Sequence, residues 1–152
     1  MKFLVYLLPF AIGCVIPLQA ALNNSLKVAV QSGALFASFV QFVIGTLALA
    51  IVCVVGGEKW ASVTRLSDAA WWQFGGGLLG ALFVFGSTFL VPRIGVANTL
   101  NLMIAGQVIA ALAFDQVGIL GLAVRAIDTP RIAGAILVIA GVILINHGGQ
   151  GR

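Results

Sequence analysis

Charged side chains are scarce in this sequence, and acidic ones are the scarcest. Of 152 residues only four are Asp or Glu and eight are Lys or Arg, so 8% of the chain is charged. Soluble domains carry roughly 25%. A soluble fold with so little charge would expose large apolar patches and aggregate. Because 61% of the residues are hydrophobic, the chain is suited instead to a lipid bilayer.

The groups that build catalytic and metal sites are also rare. The one histidine, His147, stands near the C-terminal end, and Cys14 and Cys53 form no CxxC motif. A zinc site needs several clustered ligands, and no nucleophile has a base at a recognisable spacing. The basic residues are scattered, which argues against nucleic-acid binding. We therefore predict no enzyme activity, no metal, no cofactor and no nucleic-acid partner.

Long apolar runs fill most of the chain. One transmembrane helix needs about 20 apolar residues to cross roughly 30 Å of hydrocarbon. We predict an all-α integral membrane bundle, with residues 1–152 forming a single domain. Its five spans are expected at about 3–22, 33–55, 70–91, 96–114 and 131–146. The first run could also be a signal peptide, but Pro9 and Pro17 interrupt it and favour a retained span.

Polar and turn-forming residues separate the predicted spans. The segment 23–27 reads as a polar break, and Pro92-Arg93-Ile94-Gly95 predicts a tight turn, because Pro and Gly interrupt helices. The apolar segment 118–124 is too short to cross a bilayer. We interpret it as a loop or interfacial turn, and the sequence leaves open whether 115–130 is re-entrant or interfacial.

The positions of Lys and Arg bear on orientation. Because five spans place the two termini on opposite sides, one side carries Lys2, Lys59, Arg65, Arg125 and Arg131 and the other carries Lys27, Arg93 and Arg152. The difference in Lys and Arg content fixes orientation, and this difference is small. We hypothesise that the chain inserts both ways and pairs antiparallel with itself or with a close homologue.

Glycines in the spans favour close helix packing. The segment 75–80 fits the GxGxxG pattern of dinucleotide sites, but it lies in an apolar span and not in a βαβ unit. Gly76 and Gly80 instead form a small-xxx-small pair that lets two backbones approach. Gly134 and Gly141 lie on one stripe of the last span and allow a second close contact.

Amides and hydroxyls inside the spans are the candidate substrate-binding residues. Polar groups within a bilayer usually face a bundle interior or a cavity. One interpretation is hydrogen bonding between helices, at about 0.6 kcal/mol each on average. The other is a substrate cavity. The predicted lining residues form three pairs, each on one face of a helix: Gln19 with Asn23, Ser38 with Gln41, and Asn98 with Asn101.

No Asp or Glu lies in the middle of a predicted span. Proton-coupled transporters usually carry a membrane-embedded acid. Asp115, at the end of the fourth span, is the nearest candidate for proton coupling. The alternatives are that Asp115 is a solvated helix end, that coupling uses another group, or that transport is passive.

Several segments, taken in order, carry a resemblance to a known family. They are 92–97 at the start of the fourth span, 114–118 at its end, 131–134, 19–23 in the first span, and 38–39 with 45–49 in the second. In this set the chain resembles the drug/metabolite transporter superfamily, and within it the YdcZ-like branch of five-span bacterial proteins. The last helix, with Gly134 and Gly141, is similar to the dimerisation helix of small multidrug resistance exporters.

The resemblance implies a multi-pass transporter of the bacterial inner membrane that moves a small molecule of unknown identity by alternating access. Related EamA-type transporters have ten spans built as inverted repeats of five, which implies an antiparallel homodimer here, packed through Gly134, Gly141, Gly76 and Gly80. Small multidrug exporters have a glutamate in their first helix where this chain has Gln19 and Asn23, so their proton–cation exchange is not carried over. A non-transporting membrane subunit and a channel are the alternatives.

Overall fold

A computed structural model describes residues 2–58 and 60–148, and these residues form helices without a strand. The predicted all-α class is confirmed. Lys59 and Arg152, two of the charges in the orientation count, lie outside the described residues. All five long helices have the length and hydropathy needed to cross a bilayer. They are α1 (Lys2–Ala29), α2 (Ala34–Val55), α3 (Gly75–Ile94), α4 (Val96–Val117) and α5 (Thr129–Gly148).

The ends of α1 and α2 share one hydrogen-bonding pattern. After α1, Gln31 takes a φ of 50° while the N–H of Ser32 donates to the carbonyl of Lys27. After α2, Gly57 takes a φ of 70° while the N–H of Glu58 donates to the carbonyl of Cys53. Both are Schellman ends, which use a left-handed residue to satisfy the last carbonyls of a helix.

The polar segment 23–27 does not break the first helix, contrary to the sequence expectation. α1 continues through it to Ala29. Asn and Ser are only moderately poor helix formers, and the segment contains neither Gly nor Pro. The helix ends where the left-handed Gln31 and then Gly33 follow.

The turn predicted at 92–95 is smaller in the structure. α3 continues through Pro92 to Ile94, and Gly95 alone, with a φ of 83°, separates it from α4. Pro is tolerated in the last turn of α3 because only the carbonyl four residues earlier loses its amide partner. The positive φ of Gly95 is a backbone conformation that other residues adopt at a cost.

Two short 3-10 helices, Trp60–Asp68 and Trp71–Phe74, connect α2 to α3. At the second, the side-chain Oε1 of Gln73 accepts the N–H of Ala70 at 2.9 Å. The indoles of Trp60, Trp71 and Trp72 are all exposed. Aromatic side chains in such a connection suit the boundary between hydrocarbon and water.

The chain forms two compact units, Met1–Arg93 and Ile94–Arg152. In the first, α1 packs on α2, and in the second α4 packs on α5. Few side chains are buried, and large apolar residues such as Val55 and Leu144 are exposed. Lipid or another protein surface must cover these side chains, since a soluble monomer rarely exposes so much apolar area.

Candidate functional site

The first unit contains a cleft of about 250 Å³, which is lined by residues of α1, α2 and α3. Gln19 enters it from α1 and Val84 from α3. α2 supplies the remaining wall, made of Gln41, Phe42, Gly45, Thr46 and Leu49. The structure therefore places two of the predicted substrate-binding amides, Gln19 and Gln41, around one space.

Helical spacing explains why α2 provides most of the wall. Gln41, Gly45 and Leu49 follow one another at four-residue intervals, and such residues line one helix face. Phe42 and Thr46 form the neighbouring row on that face. A Cβ built on Gly45 would meet no atom within 4 Å, so the missing side chain leaves open space in the wall.

The cleft is largely apolar, with a few hydrogen-bonding groups and no charged one. Its hydrogen-bonding groups are the two amides and the hydroxyl of Thr46, and none of its lining residues is ionisable. The Oε1 atom of Gln41 is buried and has no hydrogen-bond partner. Leaving a buried acceptor unpaired costs about 1–3 kcal/mol. A donor from a bound molecule would remove that cost once the amide turns about its soft terminal torsion.

Asn23 and Ser38, predicted to line the same cavity, do not line this cleft. Asn23 is 5% exposed and its Nδ2 has no hydrogen-bond partner, so it is a second amide with unused capacity. Ser38 is 4% exposed, and its Oγ donates to the carbonyl of Ala34 at 2.8 Å. The hydroxyl of Ser38 is thus used within its own helix.

Hydroxyls of α3 are also bonded within their own helix, as that of Ser38 is. The hydroxyls of Ser87 and Thr88 both donate to the carbonyl of Val84, each at 2.9 Å. Hydroxyls that bond back onto a helix in this way often bend it. Of the cleft residues, the sequence analysis identified Gln19 and Gln41 by their amides, and nothing in the sequence marks Val84 as a cleft residue.

The predicted amides of α4 lie in the second unit. Asn98 and Asn101 are half-buried there. Between them, Thr99 is buried and its Oγ1 donates to the carbonyl of Gly95 at 2.7 Å. Asn98 and Asn101 therefore remain candidate binding residues of the second unit, and neither is among the residues that line the cleft.

Asp115 pairs with Arg131, and the two side chains are 34% and 30% exposed. Arg131 also donates from Nη1 to the carbonyl of Arg125 at 3.2 Å, and the N–H of Arg125 donates to the carbonyl of Asp115 at 2.8 Å. Beside them, the Oε1 of Gln116 accepts the N–H of Ile127 at 2.7 Å. We call these five residues the α4–α5 clasp.

The clasp shapes the segment that the sequence left ambiguous. α4 continues to Val117, a short turn follows at Ile119–Gly121, and residues 122–128 are irregular. α5 begins where the Oδ1 of Asp128 accepts the N–H of Arg131 at 3.0 Å, a side-chain cap for its first turn. The acid proposed for proton coupling is therefore one half of an ion pair that holds this loop.

The ion pair of the clasp can be measured with a double-mutant cycle on Asp115→Asn and Arg131→Gln. Because both side chains are about one-third exposed, we expect a coupling free energy of about 0.2–1 kcal/mol in unfolding, falling as salt is added. Unfolding of the purified protein in mixed micelles gives the four free energies. A cycle on Asp115 and His147, which lies at the opposite end of α5 from Arg131, is the control. Strictly additive effects at 115 and 131 would contradict the pairing.

The glycines predicted to pack a dimer lie in different surroundings. A Cβ built on Gly80 would lie 3.7 Å from Cζ of Phe42, so this glycine faces a side chain of its own protomer. Gly76, Gly134 and Gly141 face open space within 4 Å. Open space at a glycine permits the approach of another helix but does not identify it.

Five membrane-length helices with an uncharged, amide-lined cleft define a multi-pass membrane protein with room for a small molecule. Residues 4–144 match the family described as "Putative inner membrane exporter, YdcZ", and the chain belongs to that family. It is thus a multi-pass protein of the bacterial inner membrane. This confirms the resemblance and the localisation expected from the sequence.

One relative is the inner membrane protein YdcZ of Escherichia coli (strain K12), which is 38% identical over 80 residues. The aligned part covers 53% of this chain and 53% of that protein, so it spans about half the length of each. No solved structure matches the chain. The family supports a transporter-type role over an enzymatic one.

Proposed function

We propose that this protein is a small-molecule transporter that works by alternating access as an antiparallel, dual-topology homodimer. The observation that carries the proposal is the cleft between α1, α2 and α3, where Gln19 and Gln41 face one space inside a membrane-spanning unit. Membership of a family described as exporters supports transport in the outward direction. The substrate is a small molecule, since the cleft holds about 250 Å³.

Pairing of two copies is supported by three features. An odd number of spans puts the termini on opposite sides, and the small Lys and Arg bias permits insertion both ways. Large apolar side chains remain exposed along the helices. Gly134 and Gly141 leave room on α5 for a helix of a second copy. Two copies in opposite orientations would form the inverted pair from which alternating-access transporters are commonly built.

Residues beyond the cleft have defined places in the proposal. Asn23 carries an unpaired Nδ2 one helical turn from Gln19, and Ser38 lies one turn before Phe42. They are proposed to join the path when the helices move. Asn98 and Asn101 are proposed as the contribution of the second unit. Asp115 lies in the last turn of α4, and proton coupling through it would require its pair with Arg131 to open.

Leucine in place of Gln41 should lower the transport rate about tenfold, which corresponds to the loss of one hydrogen bond of about 1.4 kcal/mol. The purified protein would be reconstituted in liposomes loaded with a bacterial metabolite extract. Efflux of individual solutes would then be followed by mass spectrometry. Gln19→Leu should act in the same direction because both amides line the cleft.

Gln107→Leu is the matched control for the two cleft variants. Gln107 is an exposed amide on α4 outside the cleft, so its loss should leave the rate unchanged. If Gln19→Ala and Asn23→Ala both left efflux at the wild-type rate, the substrate path assigned here would be wrong. Rates too fast for a conformational cycle would indicate a channel, and no efflux of any solute would indicate a non-transporting subunit.

A further inference from the structure

Two shallow apolar grooves lie along α2 beside the cleft. The nearer groove has a volume of about 320 Å³ and shares Phe42 and Thr46 with the cleft. The farther groove, of about 350 Å³, shares Leu47 with the nearer one and ends at Trp60. The three spaces thus follow one another along α2, from the exposed indole of Trp60 to the two amides.

The walls of the grooves determine what can move along them. Aliphatic and aromatic side chains line both grooves, and the exceptions are the hydroxyl of Thr46 and the indole N–H of Trp60. A hydrocarbon body can follow such a surface without losing favourable contacts. A charged group cannot, because moving an ion into apolar surroundings is far costlier than moving a neutral polar group.

The cleft at the inner end offers hydrogen bonds but no counter-charge. Its lining residues include no acid or base. The four acids of the chain are Glu58, Asp68, Asp115 and Asp128. Two of them precede α3, one caps α5, and Asp115 is held by Arg131. An ion in the cleft would find no opposite charge among its walls, whereas a neutral head group would find two amides and a hydroxyl.

We infer that the cleft binds an uncharged amphiphile, which enters from the bilayer across Phe42 and Thr46. The apolar body lies against Phe42, Leu49 and Val84, and the hydrogen-bonding head lies between Gln19 and Gln41. The cleft has a volume of about 250 Å³, so the guest is small. This inference rests on the proposed transport function for its purpose, but binding and entry can be measured without transport.

Cysteine labelling tests the binding site. Cys14 and Cys53 would first be replaced by Ala, and Thr46→Cys would then report occupancy of the cleft through its reaction with N-ethylmaleimide, read by mass spectrometry. Benzamide, benzamidinium and benzoate share one shape and differ in charge, so they are the probes. At about ten times its dissociation constant, a bound guest slows labelling about elevenfold. We expect such protection from benzamide alone.

Matched variants connect the protection to the cleft. Leu49→Cys, at a second lining position, should show the same protection if Thr46→Cys does not fold. Ile44→Cys is the control, because Ile44 is exposed on α2 outside all three spaces. Gln41→Leu should remove the protection at Thr46→Cys. Equal protection by all three probes, or no protection by benzamide, would overturn the inference.

The route of entry has its own test. A membrane-impermeant anionic maleimide should react at Ser67→Cys, an exposed position in the α2–α3 connection, but not at Thr46→Cys. N-ethylmaleimide should reach both. Comparable anionic labelling at both positions would show entry from water and reject the lateral route, while transport through the same cleft would stand. Protection by benzamide with no efflux of any solute would retain the binding site and reject the transport function.

Discussion

Removing two positive charges, with Lys27→Gln and Arg93→Gln, should fix the chain in one orientation and nearly abolish transport. The two sides now carry five and three Lys or Arg residues, and the double variant leaves five against one. Such a difference commits insertion, with the richer side in the cytoplasm. If the transporter is an antiparallel pair, a population with a single orientation lacks half of each functional dimer.

Reporters at the C-terminus would measure the orientation of this variant, with alkaline phosphatase active outside and a fluorescent protein bright inside. The wild type should give both signals and the double variant one. Arg93 also stacks on the ring of Phe89, 3.5 Å from its centroid. Arg93→Lys, which keeps the charge, is therefore the control for loss of packing and should retain both signals.

Co-expression with an oppositely biased chain makes the test decisive. In this second chain, Gln replaces Lys2, Lys59, Arg65 and Arg125. One positive residue then remains on that side against three on the other, which should reverse the orientation. Each biased chain alone should be inactive, and the two together should recover transport. Full activity of one biased chain alone, or no recovery from two correctly inserted ones, would rule out the antiparallel dimer.

Among the glycines that the structure describes, Gly118 should be the one where alanine is most damaging. Gly118 ends α4 with a φ of 66°, and its N–H donates to the carbonyl of Phe114 at 2.8 Å. A Cβ there would lie 2.6 Å from Cγ2 of Val124 and 3.0 Å from the carbonyl oxygen of Leu122. The left-handed conformation costs about 1–2 kcal/mol and overpacking about 1–3 kcal/mol. We expect a total loss of about 3 kcal/mol.

Gly121→Ala separates the two contributions. Gly121 has a φ of 82° in the same loop, but a Cβ there would meet no atom within 4 Å. We expect a loss of about 1 kcal/mol from backbone strain alone. Unfolding in mixed micelles would compare the two variants with the wild type. Equal free energies of unfolding for both would mean that the close approach of Val124 to Gly118 does not constrain the loop.

The helices were predictable because lipid exposure leaves a simple pattern. A run of about 20 apolar residues has few alternatives to a membrane helix, and five such runs gave five long helices. The ends were predicted less well. The polar segment 23–27 was expected to stop α1, yet a helix stops where its last carbonyls find new partners, and here Gln31 provides that geometry.

The cleft was only half predictable, because its lining residues come from helices that are far apart in the sequence. Gln41 and Gly45 share a helix face by spacing alone, but their approach to Gln19 depends on how α1 packs on α2. Val84 comes from a third helix and carries no polar signal. The pairing of Asp115 with Arg131 joins residues 16 positions apart. It requires the loop between them to fold back, which no local pattern encodes.

Four hydroxyls of the spans differ from the two cleft amides in how freely they should vary. Ser38, Ser87, Thr88 and Thr99 each donate to a carbonyl three or four residues earlier in their own helix or at its start. A carbonyl already bonded along the helix loses little when such a hydroxyl disappears. Among relatives of this protein, Ala and Cys should therefore exchange with these residues over time. Gln19 and Gln41 should resist such exchange. A hydropathy profile gives hydroxyls and amides similar weight, so it would overstate the number of polar residues in the spans that must be conserved.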